Sequence, residues 1–171
     1  LNTVTDLIYP FLNQIGILWG IDKVMPAQEH FISNLIRQKV IAGINALPLP
    51  PEDAPKIIMF LPQDEQHEIG LLLAQYIAKD LGWNVYYLGQ NVPLLDIKAI
   101  HKIVNPDLLL TMFVTTIPDK VEGEIAKILE LTTVKLIVTG HPINLEKKYF
   151  NERTLYISIP EDFVKILKEY R

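Results

Sequence analysis

The residues best equipped for chemistry are Glu65, His67 and Gly70, in the stretch Leu61-Pro62-Gln63-Asp64-Glu65-Gln66-His67-Glu68-Ile69-Gly70. A neutral imidazole nitrogen is a good metal ligand, and a carboxylate two residues away can fix its tautomer and orientation. Gly70 leaves the backbone bare for a close approach. By itself such a His is most often a solvated loop residue, and Asp64 and Glu65 can simply complement a helix dipole. A second group is Trp19, followed after nine intervening residues by Glu29-His30. Trp offers a large apolar face with one donor, suited to stacking on a purine. Alone, Trp19 reads as core between helices and Glu29-His30 as an exposed pair. No paired carboxylates or Ser-His-Asp set support hydrolysis. His30, His67 and His141 are too far apart in sequence to read as a zinc site. With no Cys there is no thiolate site, disulfide or thiol nucleophile. The chain is therefore not expected to be an enzyme.

These groups need elements to position them. Apolar side chains at Val4, Leu7, Ile8, Phe11, Leu12, Ile15, Leu18 and Trp19 follow helical spacing over residues 3–20, with Pro10 as a kink and Gly20 as a stop. A second helix is predicted over residues 27–47. The two make a helical hairpin that must pack on something else. Pro48-Leu49-Pro50-Pro51-Glu52-Asp53-Ala54-Pro55 then holds four prolines in eight residues, a stiff linker. The predicted organisation is residues 1–47 as part of a helical bundle, 48–55 as linker and 56–171 as a Rossmann-like domain.

Beyond the linker, short apolar runs alternate with helical patterns. Strands are predicted at Lys56–Leu61, Asn84–Leu88, Asp107–Val114, Val134–Thr139 and Thr154–Ser158. Helices are predicted at Glu68–Leu81, Pro93–Val104, Pro118–Leu131 and Pro160–Tyr170. This alternation implies an α/β fold, a five-stranded flavodoxin-like doubly wound parallel sheet. Right-handed crossovers put the loops after each strand on one rim, where ligands bind. Those loops hold Gln63–His67, Gly89–Asn91, Val114–Thr116 and Gly140–Pro142. No Gly-rich phosphate loop occurs among them.

Composition narrows the class further. The 171 residues are 49% hydrophobic and 21% charged, with net charge -4. That is a globular balance without a basic face for nucleic acid. No run of about 18 apolar residues suggests a membrane span. No signal peptide is evident, and the absence of Cys fits a cytoplasmic setting. The chain starts at Leu1, so a fragment lacking N-terminal material is expected.

Glu65-x-His67-x-x-Gly70 after a strand resembles the Asp-x-His-x-x-Gly motif of cobalamin-binding domains. In that family the His binds cobalt as the lower axial ligand, the acid two positions earlier holds the imidazole, and the cofactor's nucleotide tail is buried nearby. Trp19-x9-Glu29-His30 resembles the upper-face signature of the cobalamin-dependent MerR-type regulators, the CarH-like photoreceptors. The order of bundle, linker and sheet is similar too. The resemblance implies His67 as the cobalt ligand, and a cofactor site of Trp19, Glu29, His30, Glu65, Gln66, Gly70, Thr111, Met112, Val114, Thr115, Gly140 and His141. Some positions depart from the family. Its Ser-x-Thr at the end of strand 3 aligns with Met112 and Val114, with Thr111 or Thr115 as substitutes after a register shift. Its Gly-Gly after strand 4 is Gly140-His141. Gly20 stands where some members carry the light-state upper ligand.

The function implied is a cobalamin-sensing domain, with adenosylcobalamin favoured over methylcobalamin. It would couple the cofactor, and light, to homo-oligomerisation as a dimer or tetramer. DNA binding would be left to an N-terminal helix-turn-helix outside this sequence, and no membrane partner is implied. The alternatives are a corrinoid carrier for a methyltransferase and a degenerate scaffold with no cofactor bound.

Overall fold

Five parallel strands form one sheet in the order β2-β1-β3-β4-β5. The computed structural model describes residues 8–12, 14, 25–116, 118–141 and 152–170. Residues 8–12 and 14 are helical. Then come α1 (Pro26–Ala46), β1 (Lys56–Pro62), α2 (Ile69–Asp80), β2 (Asn84–Val92), α3 (Leu94–Val104) and β3 (Leu108–Phe113). After these follow α4 (Pro118–Leu131), β4 (Lys135–Gly140), β5 (Thr154–Tyr156) and α5 (Pro160–Glu169). This is the predicted flavodoxin-like topology, whose strand order reverses between β1 and β3.

The central strands are apolar throughout because both faces are covered. Ile57, Met59 and Leu61 of β1 join Leu108, Leu110 and Ile137 in a cluster with α1, α2 and α5. Ile58, Phe60, Leu109, Phe113 and Val138 face α3 and α4. Period-two alternation thus splits one hydrophobic run between two cores. Val40 and Ile44 anchor α1 in the first cluster, each stabilising the docked helix by about 1.5–3 kcal/mol.

The joints explain how the rim is placed. At the end of α2, the Gly82 N–H donates to Lys79 O (2.9 Å) and the Trp83 N–H to Ala78 O (3.0 Å). That is a Schellman closure, and Gly82 takes the positive φ of 79° it requires. The proline-rich segment lacks regular structure over residues 47–55. It is nevertheless held: Asn84 Nδ2 donates to Pro51 O and Ala54 O, both at 3.4 Å.

Most boundaries differ from expectation by one or two residues, and two of the differences bear on the rim. β2 runs on to Val92, because register shifts after Met59 and after Phe60 let it keep pairing with β1. Gly89 (φ 79°) and Asn91 (φ 57°) supply the backbone for those bulges. α2 begins at Ile69 and not at Glu68, whose side chain is engaged elsewhere. Among the described residues, no helix is long and apolar enough to cross a membrane.

Candidate functional site

The loop after β1 is built around a buried carboxylate. Glu65 is fully buried. It accepts hydrogen bonds from the backbone N–H groups of Val114 (2.9 Å) and Thr115 (2.7 Å), at the end of β3. The hydroxyls of Thr115 (3.1 Å) and Thr116 (3.4 Å) donate to it as well. Within its own loop, the Gln66 N–H (3.1 Å) and His67 N–H (3.3 Å) turn back onto Glu65 Oε1. Burial alone would push this carboxyl upward, but the donors from His67, Thr115 and Val114 outweigh it and lower the pKa to about 2. Glu65 is therefore a fixed negative charge and not a proton carrier.

That charge orients His67. The ring Nδ1 lies 2.9 Å from Glu65 Oε1. An ionised carboxylate is acceptor-only, so Nδ1 carries the proton and neutral His67 keeps its lone pair on Nε2. The side chain is 55% exposed, so that nitrogen can be reached. The hydrogen bond its ring donates to Glu65 raises the His67 pKa, burial works against it, and the charges of Glu65 and Glu29 add to the rise. Asp64, at φ 71°, completes the turn with its N–H on Asn91 Oδ1 (3.0 Å). Asn91 N–H in turn donates to Glu65 O (3.2 Å).

Of the residues singled out in the sequence, the structure brings several together. Glu65, Gln66, His67, Val114 and Thr115 share the hydrogen-bonded rim. Val114 and Thr115, expected in the cofactor site, serve Glu65 through backbone N–H groups, and Thr115 through its hydroxyl as well. Glu65 is not a surface acid at a helix start: it sits inside, because donors on the loop after β3 replace its hydration. Glu29, on α1, lies close enough for its charge to act on His67. It pairs with His30 Nδ1 at 3.2 Å and accepts from Ser33 Oγ at 3.1 Å, while His30 is 75% exposed. Trp19 and Gly20 lie outside the described residues.

Gly70 and Met112 form a second feature. A Cβ added at Gly70 would fall 2.6 Å from Met112 Cε and 3.2 Å from Met112 Sδ. Met112 thus lies against the bare backbone at the start of α2. Thr111 is not brought to that spot. It alternates with Met112 along β3, is fully buried, and its hydroxyl has no partner among the described residues. Gly140 is needed by the backbone itself: its φ is 142°, and a Cβ there would meet Phe113 O at 2.0 Å. His141 follows, exposed, with its N–H on Phe113 O at 3.0 Å.

Sequence reasoning missed Glu68, Arg37 and Tyr87. Arg37 Nε donates to Glu68 Oε1 at 2.6 Å, and the Tyr87 hydroxyl to Glu68 Oε2 at 3.1 Å. A carboxylate next to His67 was the one available signal. Nothing in the spacing pointed to partners on α1 and β2.

Among the described residues, no group of three or more His, Asp or Glu could hold a bare metal ion. His67 suits a metal that brings most of its own ligands and lacks one axial donor. Its fixed tautomer, reachable Nε2 and buried carboxylate partner fit that role. Met112 is a misfit, an unbranched and adaptable side chain against the Gly70 backbone.

Comparison with known proteins fits this geometry. No family model matches the chain. Similar solved structures include the monomethylamine corrinoid protein of Methanosarcina barkeri, with TM-score 0.73, 17% identity, and 93% of this chain and 78% of that one covered. A cobalamin-binding protein from Desulfitobacterium hafniense DCB-2 superimposes with TM-score 0.58 at 20% identity, covering 92% of this chain and 76% of that one. The fold is thus that of a doubly wound domain of the kind found in corrinoid proteins. In sequence the chain is similar to two HTH-type transcriptional repressors. It is 30% identical to the HTH-type transcriptional repressor CarA of Myxococcus xanthus over 123 residues, 72% of this chain and 40% of that protein. To CarH of the same organism it is 30% identical over 109 residues, 64% of this chain and 36% of that protein. The chain spans two fifths or less of either relative's length.

Proposed function

We propose that this chain is the cobalamin-sensing part of a transcriptional regulator, with His67 as the lower axial ligand to cobalt. The observation that carries the reading is the Glu65–His67 pair, set at 2.9 Å with Nε2 left for a metal. When bound, cobalamin supplies a cobalt centre and, in its adenosyl form, a light-sensitive cobalt–carbon bond. Glu65 holds the His67 ring and its Nδ1 proton. Val114 and Thr115 hold Glu65. Glu29 and His30 of α1, and Trp19, would contact the upper face of the cofactor. Gln66, Gly70, Met112, Gly140 and His141 line the surroundings, with Met112 turning aside where the tail needs room. Adenosylcobalamin is the favoured form over methylcobalamin. The chain acts by binding and not by catalysis. Its output is a change of homo-oligomer, dimer or tetramer, read by a DNA-binding region N-terminal to this sequence, in the cytoplasm.

The test is retention of pigment. Purified protein is mixed with adenosylcobalamin or methylcobalamin in the dark, desalted, and its visible spectrum recorded. Retained absorbance is expected, shifted to a base-off spectrum by His67→Ala. Loss of all pigment on desalting overturns the reading. A change in elution volume on illumination selects the light-responsive sensor. The fold shared with the monomethylamine corrinoid protein is compatible with a second reading, a corrinoid carrier. That reading expects pigment without any change of size. The close fit of Met112 to Gly70 is what favours a scaffold without cofactor.

A further inference from the structure

We infer that Glu68 is a positioning residue whose grip by Arg37 and Tyr87 couples the docking of α1 to the setting of His67. This deepens the proposed cobalamin site and rests on that reading only for its ligand-bound half. Glu68 directly follows His67 and stands at the N-cap of α2, yet its side chain makes no cap hydrogen bond. Both carboxylate oxygens turn outward from the helix instead. Oε1 takes Arg37 Nε from α1, and Oε2 takes the Tyr87 hydroxyl from β2. The Glu68 side chain is 12% exposed and that of Arg37 47%. Three elements therefore meet on one nearly buried charge beside the metal-ligand candidate.

If α1 lifts away, Glu68 loses the Arg37 guanidinium and keeps, among the described residues, the Tyr87 hydroxyl. The turn that follows His67 then loses one of the two side-chain anchors that hold it in place. The residue that moves with it is His67. Burial, with the Glu68 charge, pushes the Tyr87 phenol far above its ordinary range, so it remains a donor at every working pH. Arg37 is the releasable member. It lies eight residues after Glu29, on the stripe Glu29, Ser33, Arg37, so the same helix also carries the charge that acts on His67. Coupling of this kind is reciprocal: whatever fixes His67 favours docked α1, and whatever pulls α1 off loosens His67.

The experiment has two arms, using Arg37→Met and Arg37→Lys in the whole chain. In the first, without cofactor, amide hydrogen exchange is followed along α1 and in the loop of residues 63–68. Arg37→Met should speed exchange in both segments about tenfold, and Arg37→Lys should recover much of it. Faster exchange in α1 with an unchanged loop overturns the coupling. In the second arm, methylcobalamin binding is titrated in the presence and absence of His67→Ala. Arg37→Met should weaken binding about tenfold when His67 is present and by less than about twofold when it is absent. It should also shift the bound spectrum toward that of His67→Ala. Equal losses in both backgrounds overturn the role through His67. If the unaltered chain retains no corrinoid, the proposed function falls, and the exchange arm alone decides the coupling.

Discussion

Gly70 and Gly140 both stand at the rim with no room for a side chain, but different neighbours crowd them. At Gly140 the obstacle is the backbone of Phe113, with its carbonyl oxygen 2.0 Å from a would-be Cβ. At Gly70 it is the end of Met112, an unbranched side chain. The Gly140 contact belongs to the sheet and cannot give. The Gly70 contact is with the far end of a flexible side chain, which can give. One wall of the rim is thus fixed by the fold, and the other is set by a residue that can move.

Substitutions can break that contrast, and the largest effect is expected at Gly140. Gly140→Ala adds a clash at positive φ, and should cost about 3 kcal/mol in urea denaturation or prevent folding. Glu65→Gln comes next. Its amide would turn N–H groups toward the Val114 and Thr115 donors, and about 2 kcal/mol should be lost. The pH dependence gives a sign to check. The Glu65 pKa is about 2 when folded against 4.5 ordinarily, so its contribution is present above 4.5 and disappears as pH falls toward 2. Glu65→Gln should flatten that acid limb in thermal melts. His67 works the other way. Its pKa is raised, so its contribution is full below 6.5 and is lost as pH rises through the raised value, a slope that His67→Ala should remove.

At the movable wall the effects are smaller. Met112→Ala should improve binding of complete cobalamin relative to cobinamide, which lacks the nucleotide tail, by several-fold (on the order of 1 kcal/mol). An unchanged ratio would show that Met112 does not border the tail. Gly70→Ala should stay within about 1 kcal/mol of the parent, since better helix propensity offsets the displaced Met112. Combined with Met112→Ala it should be the more favourable change, a non-additivity that denaturation of both single variants and the double variant would reveal.

Much of the fold was legible from local chemistry. The alternation of β-rich and helical runs located each described strand and helix after the linker, to within a few residues. β2 ran longer than expected because bulges at Gly89 and Asn91 depend on pairing with β1, which no local window contains. The axial-ligand pair was legible as well, because Glu65 and His67 lie two residues apart. Its supports were not: Val114 and Thr115 are some fifty residues away in the chain, and they act through backbone groups that carry no residue signature. The Arg37–Glu68–Tyr87 contact was hidden for the same reason.

The sequence by itself determined the period of each element, the topology those periods allow and the His that faces the rim. Those properties depend on residue type and short spacing. Tertiary structure decided which carboxylate is buried and ionised, which side chain closes against Gly70 and which cation grips Glu68. Each of these is a matter of desolvation and contact between distant segments, and exists only once the sheet has brought them together.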